Sequence, residues 1–255
     1  VGVLATIGVA APVVYRRPRV AYMSTGDELV PPGSGPLAPG MIRDSNRPMV
    51  KALLEDAGAE LNDLGIIPDN DEALREALKV GSSFDVIVST GGVSMGDYDV
   101  TKKVLQGSSS VGFWQVAIQP AKPFAFGRVD GALFFGLPGN PVSVLVSFEQ
   151  FLRPALLRMQ GATRVLRDQA PAIAGEQFDT DPDKTVFVRV RILEQSAGGP
   201  VVVSSGGQSS NVLSAAAAAD AFAVIPRGVG MVESGDPVVI ERFKAPEARE
   251  WSDGI

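Results

Sequence analysis

The apolar run Phe84-Asp85-Val86-Ile87-Val88 empties into Ser89-Thr90-Gly91-Gly92-Val93-Ser94-Met95-Gly96-Asp97-Tyr98-Asp99. A strand that ends in a glycine-rich turn can bring backbone N–H groups close to a phosphate. The hydroxyls and two acids of this turn can also hold a divalent cation beside that phosphate. The pattern has an earlier echo. Arg19 to Ser24 reads as a strand and ends at Ser24-Thr25-Gly26-Asp27-Glu28-Leu29. In a doubly wound sheet the ends of parallel strands share one edge, and ligands bind there. Two related turns therefore constrain the chain to an α/β sheet with a ligand edge.

The intervening pattern supports parallel strands. Pro31 to Gly40 is a Pro- and Gly-rich loop. Asn46 is placed to cap a helix reaching about Ala57, with Val50, Leu53, Leu54 and Ala57 on one face. Glu60 to Ile67 reads as a strand. Asp69 and Glu72 have capping-box spacing for the next helix, whose apolar face is Leu74, Ala77 and Leu78. Asp85 to Ser89 is the third strand. This order calls for right-handed crossovers. Further on, Val100 to Leu105 reads as a short helix, and Val111 to Ile118, Phe124 to Phe126 and Ala132 to Phe135 as strands. Arg128-Val129-Asp130-Gly131 fits a hairpin turn. Asn140 and Pro141 suit N-cap and first helical position of a helix to about Leu157.

After Gly161 the texture changes to short apolar stretches broken by Gly and Pro. Phe187 to Leu193, Val201 to Ser204, Ala221 to Ile225 and Pro237 to Ile240 suggest a small β domain, and Ala215 to Ala219 a short helix. The expected organisation is a linker or remnant of a preceding domain at 1–17, an α/β domain at 18–160, a β domain at 165–243 and a charged tail at 244–255. Val1 to Val14 is apolar but broken by Gly and Pro and has no basic leader, so it is not read as a signal peptide.

Composition narrows the chemistry. The 255 residues include no His and no Cys. Thiolate or imidazole zinc sites, disulfides and His-dependent triads are therefore excluded. A metal would need oxygen ligands, and Mg²⁺ is the first candidate. The net charge of −6 argues against a nucleic-acid partner. No apolar run is long enough to span a membrane, and the absence of Cys fits the cytoplasm. There is no P-loop ending in Gly-Lys-Ser/Thr, no G-x-G-x-x-G and no G-x-S-x-G elbow.

The candidate residues each carry a structural alternative. Asp97 and Asp99 divide between capping a helix and facing the pocket, with Asp99 favoured on the metal side and Glu28 as a second carboxylate. Asp27 either faces the ligand or bonds its own loop backbone. Asp44-Ser45-Asn46 serves either a cap or ligand contact. Lys122, between Pro120 and Pro123, is held as a point charge for an oxyanion or is a solvated loop lysine. Leu137-Pro138-Gly139-Asn140-Pro141 opens a helix whose free N–H groups favour an anion. Ser205-Gly206-Gly207-Gln208-Ser209-Ser210-Asn211 is a further polar turn.

Taken together, Ser24 to Leu29, Asp44-Ser45-Asn46, Ser89 to Asp99, Lys122-Pro123 and Leu137 to Pro141 resemble the molybdopterin molybdenumtransferases of the MoeA/gephyrin family. The resemblance covers 18–160 strongly and extends to 243. It implies a three-layer, doubly wound, MogA-like molybdopterin-binding domain followed by a small β-barrel-like domain. It implies molybdenum transfer from molybdate to adenylylated molybdopterin, with release of AMP and assistance from Mg²⁺. Asp99 and Glu28 match the family's acids, as catalytic and metal-side groups, and Lys122 matches the second lysine of a Lys-Pro-Gly-Lys-Pro pattern. Here that pattern reads Gln119-Pro120-Ala121-Lys122-Pro123, so one expected positive charge is missing. The expected ligand-binding set is Thr25, Gly26, Asp27, Ser45, Thr90, Gly91, Gly92, Ser94, Pro138, Gly139 and Asn140. Family members also form homodimers, and an N-terminal portion of the partner helps close the site. The competing readings are the related adenylyltransferase, which works from ATP and molybdopterin, a non-enzymatic gephyrin-like scaffold, and a related nucleotide hydrolase.

Overall fold

The computed structural model describes residues 1–92, 100–108, 110–196 and 199–243. A short helix α1 (Gly2–Thr6) buries no residue. The first domain then runs β1 (Arg19–Thr25), the short pair β2 (Leu29–Val30) and β3 (Ile42–Arg43), α2 (Asn46–Asp56), β4 (Glu60–Ile67), α3 (Asp71–Gly81), β5 (Val86–Thr90) and α4 (Val100–Ser108). It continues through β6 (Ser110–Gln115), β7 (Ile118–Gln119), β8 (Pro123–Val129), β9 (Ala132–Leu137), α5 (Pro141–Ser147), a π-helical turn at Phe148–Leu152 and α6 (Arg153–Met159).

Six strands form the main sheet in the order β4-β1-β5-β9-β8-β6. β4, β1, β5 and β9 are parallel, and β8 and β6 add antiparallel strands at one side. Side-chain alternation along β1 separates the two cores. Val20 and Tyr22 join Val50 and Leu54 of α2 and Val144, Phe148 and Leu156 of the last helices. Met23 points the other way, to Leu74, Ala77 and Leu78 of α3 and Val104 and Leu105 of α4. The result is a three-layer doubly wound domain. The chain leaves β1 toward β4 over one face and returns to β5 over the other. The β1/β5 junction is thus a topological switch point, and both glycine turns sit at its carboxyl edge.

The second domain comprises β10 (Gln169–Ala174), β11 (Phe178–Asp179), β12 (Thr185–Ser196), β13 (Gly199–Ser204), α7 (Leu213–Ala218), β14 (Ala221–Ile225), β15 (Met231–Val232) and β16 (Pro237–Arg242). The order β13-β10-β16-β14-β12 closes through β12–β13 pairing into a five-stranded barrel. Its core is built from Val186, Val188, Val190, Ala223 and Ile240. β7 leaves the first domain to pair with the start of β12, Ile118 against Thr185 and Gln119 against Val186. A shared cluster of Ala121, Val142, Val146, Phe187, Ala216 and Phe222 fixes one domain against the other.

Several local expectations are corrected. Asn46 is the first helical residue of α2, not its cap; Ser45 precedes it without a capping bond, and Asp44 Oδ1 accepts from Arg47 N at 3.1 Å instead. The cap of α3 is Asn70, whose Oδ1 accepts from Ala73 N at 2.9 Å, one residue beyond Asp69. Asn140 stands at the N-cap position before Pro141, but its side chain does not cap; Nδ2 donates to Ser210 Oγ at 2.8 Å. The helix expected to run unbroken to Leu157 contains the π turn. Pro154 explains it, because a proline lacks the N–H of a regular ladder and crowds the preceding turn. The strand expected over Val111 to Ile118 ends at Gln115, so that Ile118 and Gln119 can join the barrel. Asp130 and Gly131 take left-handed φ values of 46° and 94°, as a two-residue hairpin turn between β8 and β9 requires.

Candidate active site

The first turn and the second meet where β1 pairs with β5, Ser24 beside Thr90. Thr25 Oγ1 donates to the Thr90 carbonyl at 3.4 Å, and Gly91 N donates to Leu137 O at 3.2 Å. Both glycines of the second turn are required. A Cβ on Gly91 would lie 2.6 Å from the Thr25 carbonyl oxygen; one on Gly92 would lie 2.1 Å from Thr101 Oγ1. Their φ values, 84° and 63°, also fall in the left-handed region. Gly139 comes to the same place, since a Cβ there would lie 3.9 Å from Gly91 Cα. Asn46 Nδ2 holds the Gly139 carbonyl at 2.7 Å. Thr25, Gly26, Thr90, Gly91, Gly92, Pro138 and Gly139 therefore converge on one edge. Thr25, Thr90 and Pro138 are buried; Gly139 and Asn140 are exposed.

Carboxylates gather beside the first turn. Glu28 is exposed and its carboxylate folds against Gly26, so a Cβ on Gly26 would lie 2.5 Å from Glu28 Oε2. Asp27 does not bond its own loop. Its Oδ1 accepts from Asp69 N at 3.1 Å, tying the β1 turn to the loop after β4. The Asp69 carboxyl is raised above its ordinary range by burial, with the Asp27 and Glu28 charges adding to the effect. Asp69 was expected only as a cap and is the residue of this group that sequence reasoning missed. Ser45 is half-buried at the head of α2. Ser94, Asp97 and Asp99 lie outside the described residues. Among the described residues no group of three carboxylates is close enough to hold a metal ion. The Glu28–Asp27–Asp69 oxygens have the hard chemistry that Mg²⁺ prefers, but as a donor set they are incomplete.

A second feature opens between the domains. A cleft of ≈ 630 Å³ is lined by Gln119, Lys122, Asn140 and Ser143 from the first domain and by Lys184, Gln208, Ser209 and Ser210 from the second. Among the described residues no carboxylate lines it. Lys122 reaches it from the segment Gln119–Pro123, held by the β7–β12 pairing. Ala121 in that segment is buried with φ at 88°, a left-handed conformation at the position where the resembling pattern has glycine. Lys184 Nζ is paired with Asp181 Oδ2 at 2.5 Å. That bond lowers the Asp181 carboxyl below its ordinary range, and the charge of Lys122 adds a smaller pull in the same direction. The polar turn 205–211 is held from behind by Arg189. This guanidinium is fully buried, donates to Gly207 O at 3.0 Å and Ser209 O at 3.3 Å, and among the described residues has no partner at Nε. Burial without a carboxylate pushes it down to about 10. Lys184 and Arg189 gave no signal in the sequence because their role depends on β12 packing against the first domain.

Similarity to known proteins now bears on these features. A family model described as a probable molybdopterin binding domain matches residues 21–158, and one described as the MoeA C-terminal region (domain IV) matches 171–243. The chain belongs to the MoeA family of molybdopterin molybdenumtransferases. Among its relatives, the molybdopterin molybdenumtransferase of Haemophilus influenzae is 40% identical over 242 residues, covering 94% of this chain and 60% of that protein. Molybdopterin molybdenumtransferase 2 of Mycobacterium tuberculosis is 38% identical over 204 residues, covering 77% of this chain and 50% of that protein. The solved molybdopterin biosynthesis MoeA protein of Pyrococcus horikosii superposes with a TM-score of 0.80 at 31% identity, over 96% of this chain and 59% of that one. The chain thus spans about three-fifths of the length of these MoeA relatives, or less.

Proposed function

We propose that this chain carries the pterin-nucleotide edge and the oxyanion cleft of a molybdopterin molybdenumtransferase. In that reaction adenylylated molybdopterin and molybdate are the substrates, the pyrophosphate is cleaved, AMP leaves and molybdenum is left on the dithiolene sulfurs. The observation that carries the reading is the cleft between the domains. Two lysines, three amides and three serine hydroxyls face one space that, among the described residues, no carboxylate lines, and its Asn140 wall continues into the glycine turns through Gly139. The turns present backbone to phosphates. Lys122 and Lys184 offset the charge of an oxyanion while Asn140, Ser209 and Ser210 offer it hydrogen bonds. Lys184 also supplies a second cation in the cleft where Gln119 has replaced the expected lysine. An entering anion must share Lys184 with Asp181.

Mg²⁺ belongs to the same proposal as a hard cation near Glu28, with Asp99 as its second carboxylate. No step is derived through it. The homodimer and the cytoplasmic setting are likewise part of the proposal for the full-length protein.

The test is calorimetry of adenylylated molybdopterin and of molybdate, with and without Mg²⁺. Loss of one charge-assisted hydrogen bond costs about 1.5–3 kcal/mol, so Lys122→Gln and Lys184→Gln should each weaken molybdate binding at least tenfold. Glu28→Gln should blunt the Mg²⁺ response of nucleotide binding. Wild-type molybdate affinity in both lysine variants would overturn the reading.

A further inference from the structure

Thr90 belongs to the glycine turn and Asp44 to the head of α2, and an unbroken chain of hydroxyls joins them. Tyr22 hydroxyl lies 2.7 Å from Thr90 Oγ1 and 3.0 Å from Ser24 Oγ. Ser24 Oγ donates to Asp44 Oδ2 at 2.6 Å. All four residues are buried. Each hydroxyl owns a single hydrogen, and a carboxylate has none to give. Ser24 spends its hydrogen on Asp44. The Tyr22–Ser24 contact therefore needs the hydrogen of Tyr22, and the Tyr22–Thr90 contact needs that of Thr90. Only this arrangement satisfies all three contacts, and every proton in it points toward Asp44.

Both ends of the chain lead to ligand-facing turns. Thr90 opens Gly91-Gly92, and its carbonyl accepts from Thr25 Oγ1. Asp44 holds the first turn of α2 through Arg47 N, and the residue before Arg47 in that turn, Asn46, ties the Gly139 carbonyl at 2.7 Å. We propose that Tyr22 is a positioning residue: through this directed chain it fixes the Gly91-Gly92 turn relative to the α2 head and the Gly139 turn that α2 carries. Tyr22 does not touch the ligand. The inference rests on the proposed pterin-nucleotide site only for what the turns hold. A buried polar chain of this kind is worth keeping only if complete, since each missing link leaves its neighbour unpaired.

Tyr22→Phe keeps the ring and removes the link. Adenylylated molybdopterin should then bind threefold to tenfold more weakly, the range given by one net hydrogen bond. Thr90→Val should cost as much, and the Tyr22→Phe/Thr90→Val pair should lose no more than about twofold beyond either single variant. Multiplying losses would overturn the chain. A bond that serves folding alone would shift the urea midpoint of Tyr22→Phe and leave its affinity, measured far below that midpoint, unchanged; that result overturns the positioning role. If wild type fails to bind the nucleotide, the proposed ligand falls. The same four-protein cycle on urea midpoints needs no ligand and still decides the chain: non-additive shifts support it and additive shifts refute it. Should Tyr22→Phe not fold, Ser24→Ala with Thr90→Val runs the same cycle.

Discussion

Gly91→Ala is the sharpest probe of how the two turns meet. Gly91 has φ at 84°, so an alanine there pays about 1–2 kcal/mol for left-handed backbone. Its Cβ would sit 2.6 Å from the Thr25 carbonyl oxygen, a backbone atom that no rotamer change can move aside. Relieving such a contact shifts one turn against the other, at an overpacking cost of about 1–3 kcal/mol. The stiffer unfolded chain returns about 0.4–1 kcal/mol. The net loss is roughly 1–4.5 kcal/mol of unfolding free energy. Gly131→Ala is the matched control. Its φ is 94°, and a Cβ there meets nothing within 4 Å. It therefore carries the backbone cost alone, roughly 0–1.5 kcal/mol net of the same return. Urea unfolding of both variants separates the two contributions. Equal losses, within about 0.5 kcal/mol, would refute the close approach of the β1 and β5 turns.

Other consequences follow from buried and paired charges. Glu149 is almost fully buried in the π turn and accepts two bonds from Arg167, at 2.8 and 3.0 Å. Arg167→Ala leaves that carboxylate, among the described residues, with Arg153 at 3.9 Å, and should cost about 3 kcal/mol in urea unfolding. Asp85 accepts from Arg16 at 2.6 Å and from Arg19 N at 2.7 Å, and these bonds hold its carboxyl below the ordinary range. The unfolded chain therefore binds this proton first. The resulting stability is complete above the ordinary carboxylate range and is lost as pH falls through the depressed value. Arg16→Ala should move the acid-unfolding midpoint to higher pH, and an unchanged midpoint would remove the pair from the account.

The sequence and structure agree most closely where local pattern decides. Glu60 to Ile67 and Ala221 to Ile225 are strands with the expected bounds, because turn residues bracket each, Gly58 and Pro68 around the first and Asp220 and Pro226 around the second. The two glycine turns were legible because glycine is needed at positive φ and at a close backbone approach. β10 was not legible, because Pro171 reads as a breaker. The parallel pairing of β10 with β13 begins only at Ile173, which leaves the proline on an unpaired stretch of that side. Caps shifted by a residue, as with Asn46 and Asn70, where neighbouring polar side chains compete for the same free N–H groups. The cleft itself was half visible. Lys122 and Asn140 belong to motifs, whereas Lys184 sits beside Asp181 as an ordinary surface pair until β12 docks against β7. Tyr22 carries no signal beyond its place in the β1 strand, since alternation assigns a face but not the hydroxyl's partners.

The central claim is that oxyanion and pterin nucleotide meet at the cleft between the two domains. Anomalous diffraction from crystals soaked in tungstate, a heavier stand-in for molybdate, tests it most directly. The account predicts a tungsten peak within hydrogen-bond reach of Lys122, Lys184 and the Ser209–Ser210 turn, weakened in Lys184→Gln. A peak elsewhere on the protein, with this cleft empty at saturating tungstate, would contradict it.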